Sequence, residues 1–521
     1  MEAKSAENIS APAAPSGSCR TEGSCGYTLR IFPRCPHRRM LLLMLGFCLL
    51  LALVYLPQSQ DFKLFGLYDQ GAIIKANQLY WQQGWIPIRD FGYSYGLGSL
   101  LLGGAVLPLV NYSPWGHWLL MLAGQLALVA AVWSILTYLP MTRSLWLLVF
   151  VSWPLWILPN YLTYMHVYEA ALLTFAISLA LRQRFGWALA LCTLTLFLKP
   201  SMAYLLGALL VAVWFWHYRA DGWYRPGRLL SLLAPSLLVG GLGVALLAVC
   251  FGLTVTLQSL LPLTGGRSYQ AMDFGFFRAG RAFWLPQLAS FSDYVSYYLF
   301  SPAAWWLLCT VGLLTALLHR RALWRNTPAG RLWLLAGGVH FAFIFLLYAW
   351  PGSWIYYSWA LGLISIATLL IWHKTWPVWL LTALALIGQL AWLASINDAW
   401  QYKPRVTTAG QLWIYQDMQT ELAEIQARTP PGTLWLTNGI LERMLPNVQT
   451  PQVWFLSPEL LLPADLTRLR AQIQSAPCVV TYTIYDPRQE AWNWPNLADL
   501  RAHYTPVWSN QQFTIWMPAV K

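Results

Sequence analysis

Residues 61–98 read DFKLFGLYDQGAIIKANQLYWQQGWIPIRDFGYSYGLG, and two apolar runs bracket them, 40–56 before and 96–110 after. Asp69 and Asp90 stand in this stretch with Lys75, Arg89, Tyr93 and Tyr95. Ile73, Ala76, Asn77 and Tyr80 follow helical spacing, and Gly84 supplies a C-terminal stop. The spacing predicts a short, amphipathic, Trp-bearing helix lying along a membrane surface. A charged, aromatic segment of this kind between two apolar runs is a loop outside the bilayer, which makes the chain a membrane protein.

The composition agrees. Of the 521 residues, 57% are hydrophobic and 10% charged, whereas a soluble domain carries about 25% charged residues. That excludes an ordinary soluble enzyme, a disordered chain and a disulfide-stapled secreted domain. The net charge of +13 is no nucleic-acid signal, because the imbalance arises from a scarcity of acids. Residues 40–394 contain only Asp61, Asp69, Asp90, Glu169, Asp221, Asp273 and Asp293. An acid in a membrane-embedded body is costly and usually functional, so these residues nominate the site.

Residues 1–39, rich in Ser, Pro, Ala and Gly and ending in Arg34, His37, Arg38 and Arg39, read as a disordered cytoplasmic tail. The run 40–56 lacks a small-residue cleavage site and reads as a retained signal anchor. Further apolar stretches fall near 96–110, 115–138, 144–158, 167–181, 185–198, 201–216, 229–253, 302–318, 332–350, 354–372 and 376–394. Basic loops at Arg182/Arg184, His217–Arg228, His319–Arg331 and His373/Lys374 look cytoplasmic, which puts 58–95, 159–166, 254–301 and the C-terminal region outside. Loop parity fails at 96–110, which holds or adjoins Gly92, Gly96, Gly98, Gly103 and Gly104. Either it is a re-entrant or hairpin element, or one crossing nearby is miscounted. The expected fold is an all-α polytopic membrane protein of about 11 to 13 crossings over 40–394. Residues 395–521, with ten acids, nine Lys/Arg, β-like runs at 433–437, 478–485 and 513–517, and helical stretches 411–427 and 464–475, read as a small extracytoplasmic α/β domain. Cys478 is its sole cysteine, so it holds no internal disulfide.

The pattern Asp69-x-Gly71, a surface helix, then Gly84-x-x-Pro87-x-Arg89-Asp90-Phe91-x-Tyr93-x-Tyr95-Gly96 resembles the first outer loop of GT-C fold glycosyltransferases. More narrowly it is similar to the bacterial branch related to protein mannosyltransferases and lipid A aminoarabinose transferases. Many relatives have Pro-Gly after the tyrosine pair, where this chain has Leu97-Gly98. The resemblance implies a multi-pass plasma (inner) membrane enzyme that takes a sugar from a polyprenyl-phosphate donor on the outer side, with inversion. By position, Asp69 matches the family's catalytic loop acid. The chemistry is sensible independently: transfer to an alcohol needs a base, and a lipid-phosphate leaving group needs cations. The plainer reading of Asp69 is a helix N-cap, and that of Asp90 an ion pair with Arg89 or Lys75.

Glu169, in Tyr164-Met-His166-Val-Tyr168-Glu169, is the one acid in an apolar run and is expected in the same outward cavity as Asp69 and Asp90. Its alternative is a helix-end carboxylate bonded to His166 or a tyrosine. Lys199-Pro200-Ser201 interrupts a long apolar stretch and resembles a family element assigned to the donor phosphate; the alternative is a snorkelling lysine at a hairpin tip. Arg267, Arg278 and Arg281 in loop 254–301 run against the positive-inside trend and suit lipid phosphate, or anionic headgroups in general. With Arg89, Tyr93, Tyr95 and His166 they complete the expected binding set. A divalent cation, Mg or Mn, could sit between Asp69 and Glu169. The expected partners are a polyprenyl-phosphate-linked sugar, a glycan, lipid or protein acceptor, and membrane lipid, with no nucleic acid. A transporter or lipid flippase is one rival reading, and a non-catalytic envelope-assembly scaffold another.

Overall fold

In the computed structural model, the described residues are 37–54, 69–137, 163–260 apart from 201 and 220–221, 290–292, isolated positions between 380 and 387, and 402–519 apart from 483–496 and shorter gaps. The tail before residue 37, Asp61, the apolar runs 144–158, 302–318, 332–350 and 354–372, Asp273, Asp293 and the three arginines at 267, 278 and 281 lie outside them.

The described protein is mostly helical, with several apolar helices. Helix α1 (His37–Val54) precedes α2 (Asp69–Trp81) and the short α3 (Gly98–Gly104). Then come α4 (Pro114–Leu136), α5 (Tyr164–Leu181), α6 (Phe185–Leu198), α7 (Met202–Tyr218), α8 (Pro226–Phe251) and α9 (Leu253–Leu260). Among the described residues, α4, α5 and α8 are long and apolar enough to cross a membrane. Residues 98–110 do not cross: α3 is followed by a 3-10 turn at Pro108–Val110. Seven residues rise about 10 Å, a third of the ~30 Å hydrocarbon core.

Helices α5 and α6 form a hairpin turned at 182–184, with α4 against α5, and α7 and α8 against α6. Close approach of α6 and α8 needs Gly186, where a Cβ would strike the carbonyl oxygen of Ser231. The hairpin returns the chain to the end where α5 began. There α6 stops at Lys199, whose backbone is extended (φ −156, ψ 102). Pro200 is the reason, since the residue before proline is pushed out of the helical region.

The C-terminal part begins with a hairpin, β1 (Tyr402–Thr407) and β2 (Gly410–Tyr415). There follow α10 (Gln416–Arg428), β3 (Thr433–Leu436), α11 (Leu441–Met444), β4 (Val448–Gln449), α12 (Pro463–Ser475), β5 (Val479–Tyr482), α13 (Leu497–His503), β6 (Tyr504–Ser509) and β7 (Phe513–Pro518). The last five strands make one sheet in the order β4-β3-β5-β7-β6, parallel across β4, β3 and β5 and antiparallel beyond. Alternation divides it into two faces. Leu434, Leu436 and Val479 join Leu469 and Ile473 of α12 and Leu500 of α13. Trp435, Val480, Phe513 and Ile515 join Leu422 and Ile425 of α10 and merge into one core with Ile73, Phe91, Tyr93 and Tyr95.

That shared core corrects one expectation. Helix α2 has the expected extent, but it does not lie on a surface: residues 70–79 are all buried, Gln70, Lys75, Asn77 and Gln78 included. The C-terminal domain covers the face that an isolated amphipathic helix would give to solvent. A second correction concerns 411–427, expected to be helical throughout. Leu412-Trp413-Ile414-Tyr415 pair with β1 instead, as aromatic and β-branched residues favour, and the helix begins at Gln416.

Candidate active site beneath the first loop

Asp69 opens α2. The helix runs to Trp81, where the indole nitrogen donates to Leu100 O at 3.0 Å, tying α2 to α3. Gly84 then takes φ +71, a conformation glycine adopts without penalty. A tight turn follows. The Asp90 amide donates to Ile86 O at 2.7 Å, and the Asp90 carboxylate accepts from the Ile86 amide at 2.8 Å. Within it Ile88 is held at φ 68, a strained position for a β-branched residue.

Arg89 and Asp90, both expected in the site, form an ion pair at 2.7 Å on the outer side of this turn, with side chains 60% and 30% exposed. The Arg89 guanidinium beside it holds the Asp90 carboxyl below the usual carboxylate range, helped by the Ile86 amide and opposed by partial burial. This is the loop-fixing arrangement that the ion-pair reading of Asp90 described.

Beyond the turn, Phe91, Tyr93 and Tyr95 make a ladder of edge-on rings, with centroids 6.3 Å and 6.1 Å apart. Ser99 donates to Gly96 O at 2.6 Å and so accepts from the Tyr93 hydroxyl, also at 2.6 Å. Burial pushes the Tyr93 phenol well above its ordinary value, so it stays a donor. The Gly96 amide donates to Leu198 O at 3.1 Å, fastening the loop to the broken end of α6. No larger residue fits this approach: a Cβ at Gly96 would collide with the Phe197 carbonyl, and one at Gly98 would lie 2.8 Å from Phe197 O.

This fastening delivers Tyr95 to Lys199, whose ammonium lies 6.0 Å from the centroid of the Tyr95 ring. It also lies 3.7 Å from Glu169 Oε2, with side chains 9% and 1% exposed. His166, one turn before Glu169 on α5, stands 6.1 Å ring to ring from Tyr95, and its Nδ1 shares a 2.6 Å hydrogen bond with Thr163 Oγ1. Four expected residues, Tyr95, His166, Glu169 and Lys199, therefore converge, with Tyr93 next to them. Glu169 thus has the Lys199 ammonium beside it, and both side chains are buried. The Asp69 side chain, Arg267, Arg278 and Arg281 lie outside the described residues. Among the described residues no three His, Cys, Asp or Glu side chains stand close enough to hold a metal ion.

The sequence does not single out Trp454 or Asp465, and Lys75 takes a partner other than Asp90, which the ion-pair reading offers it. Trp454 packs edge-on against Tyr93 and Tyr95, at 5.0 Å and 5.8 Å. Asp465, fully buried, accepts from the Gly92 amide at 2.8 Å and pairs with Arg468. Burial raises its pKa above the ordinary aspartate value, against the lowering effect of the Leu462 and Gly92 amides and Arg468. Lys75 pairs with Glu442 at 2.6 Å and donates to Thr450 Oγ1 at 3.1 Å. The contacts that Trp454, Asp465 and Lys75 make between the first loop and the C-terminal domain join residues about 360 or more positions apart, so no local pattern announces them.

No family model matches the chain. No curated protein matches it either. Among solved structures it is similar to ArnT from Cupriavidus metallidurans. The crystal structure bound to undecaprenyl phosphate shares 12% identity at a TM-score of 0.40, over 92% of this chain and 98% of that chain. The apo structure shares 13% identity at a TM-score of 0.38 over the same extents.

Proposed function

We propose that this chain is a membrane glycosyltransferase that transfers a sugar from a polyprenyl-phosphate donor to a glycan, lipid or protein acceptor on the outer side of the membrane. The observation that carries the reading is Lys199: a buried cation at the proline-broken end of an apolar helix, beside Glu169 and under a loop with the residue pattern described above. Burying an ammonium in an apolar body is costly, and a lipid phosphate is a ligand that justifies the cost. The loop and the C-terminal domain would face outward, with the N-terminus cytoplasmic.

In the proposed reaction the Asp69 carboxylate takes the proton of the acceptor hydroxyl. The acceptor oxygen bonds to the anomeric carbon as the bond from that carbon to the phosphate oxygen breaks, inverting the centre. The electron pair leaves on the polyprenyl phosphate, whose charge Lys199 neutralises with Arg267, Arg278 and Arg281. Glu169 and His166 hold the lysine in place, and Asp90 with Arg89 shapes the loop. Asp69 and Glu169 are also the carboxylates that would hold a divalent cation. The test is transfer from radiolabelled polyprenyl-phosphate sugars by full-length protein in proteoliposomes, with and without EDTA. Release of polyprenyl phosphate coupled to labelled product supports the reading; no turnover with any such donor would remove it.

A further inference from the structure

The C-terminal domain grips the first loop at several points. Besides the Lys75–Glu442 and Gly92–Asp465 contacts, the Arg468 guanidinium lies 4.3 Å from the centroid of the Trp85 ring. The side of the sheet involved is informative. Glu442 follows β3 in α11, and Thr450 directly follows β4, so both lie at carboxyl ends of parallel strands. β3 has β4 on one side and β5 on the other, both parallel. In open α/β sheets, ligands bind outside the carboxyl ends of strands at such a switch of direction. Here that edge is turned onto α2 and the tyrosine ladder.

From the same edge, four residues past Thr450, comes Trp454, which is 3% exposed. Its ring meets both Tyr93 and Tyr95, and Tyr95 also neighbours Lys199 and His166. We propose that Trp454 is a positioning residue for the donor phosphate: it fixes the Tyr95 ring between itself and the Lys199–His166 pair, so that a domain remote in sequence completes the site. This rests on the reading of Lys199 given above. Without the indole edge, Tyr95 gains room to turn and the lysine loses the aromatic wall that sets its direction. Small displacements of groups that orient a substrate are enough to depress binding and turnover.

The test uses full-length protein in detergent, equilibrium binding of a radiolabelled polyprenyl phosphate, KM and kcat for the matching sugar donor, and thermal stability. Trp454→Ala is expected to weaken polyprenyl phosphate binding about tenfold and raise donor KM more than it lowers kcat, with Trp454→Phe recovering most of both. The control is Trp435→Ala, a fully buried tryptophan of the same sheet whose ring neighbour is Phe513. It is expected to cost stability while leaving donor affinity within about twofold. Should Trp454→Ala fail to fold, Trp454→Leu, which fills volume without an aromatic edge, carries the same expectation. Wild-type affinity in the Trp454 variants, or an equal loss in Trp435→Ala at matched stability, overturns the assignment. If Lys199→Met loses donor binding while the Trp454 variants keep it, only this inference falls. If wild type and Lys199→Met bind alike, the donor-site reading falls and takes this inference with it.

Discussion

The Lys199 ammonium stands 3.7 Å from the Glu169 carboxylate, and the two side chains are 9% and 1% exposed. Two charges this deeply buried depend on each other, because removing one leaves the other uncompensated at a cost of about 3–5 kcal/mol. Glu169→Gln is therefore expected to lower stability by an amount in that range. The double variant Glu169→Gln/Lys199→Met, with neither charge of the pair left, should recover much of it. Donor binding should not return with stability, since the phosphate has lost its cation. Thermal denaturation in detergent beside polyprenyl phosphate binding separates the two effects; recovery of both in the double variant would make the pair purely structural.

The Lys75–Glu442 pair reads out domain docking. Its side chains are 8% and 25% exposed, so partial hydration reduces the penalty. Lys75→Met is expected to destabilise by about 1–3 kcal/mol. It should also speed proteolysis of the C-terminal domain, since Lys75 anchors Thr450 as well. A double-mutant cycle with Glu442→Gln should give a coupling of about 1 kcal/mol or more. Additive effects would mean that the two side chains do not act together.

Gly98→Ala places a methyl 2.8 Å from the Phe197 carbonyl oxygen, a backbone atom that cannot turn aside. The expected cost is about 1–3 kcal/mol, with the loop pushed away from the end of α6. Because the same contact sets Tyr95 beside Lys199, donor binding should fall with it. Gly46→Ala, where a Cβ meets nothing within 4 Å, is the matched control and should change neither.

Asp90 gives a pH dependence. Arg89 lowers the Asp90 pKa in the folded protein below its unfolded value of about 3.9. Stabilisation from the pair is present above that unfolded value and is lost as pH falls through the folded pKa. In Arg89→Ala the folded pKa rises toward the unfolded value, so less stabilisation is present at neutral pH and less remains to be lost in acid. Thermal midpoints measured between about pH 6 and pH 3 should diverge from wild type near neutrality and converge at the acid end. Parallel curves would show that the pair contributes nothing to the fold.

How far the sequence discloses all this differs from element to element. The break at Lys199 is legible, because a proline after a lysine within an apolar run states both the kink and the burial cost. The extent of α2 is legible from its spacing. Its burial is not, since Glu442 and Thr450, which cover Lys75, lie more than 360 residues away. Glu169 is conspicuous as an acid in an apolar run, but its lysine partner depends on the α5–α6 hairpin bringing two helix ends together. Trp454 carries no local signal among 32 tryptophans. The segment 411–415 is ambiguous, because four successive apolar residues suit a buried helix turn or a strand, and pairing with β1 decides it.

The most direct measurement compares wild type, Asp69→Asn and Lys199→Met for sugar transfer from polyprenyl-phosphate donors in proteoliposomes, with donor binding measured alongside. Loss of a general base costs about 10²–10⁴ in rate. Asp69→Asn should therefore bind donor normally and transfer at least a hundredfold more slowly, while Lys199→Met should lose donor binding itself. Transfer by both variants at the wild-type rate would contradict the account.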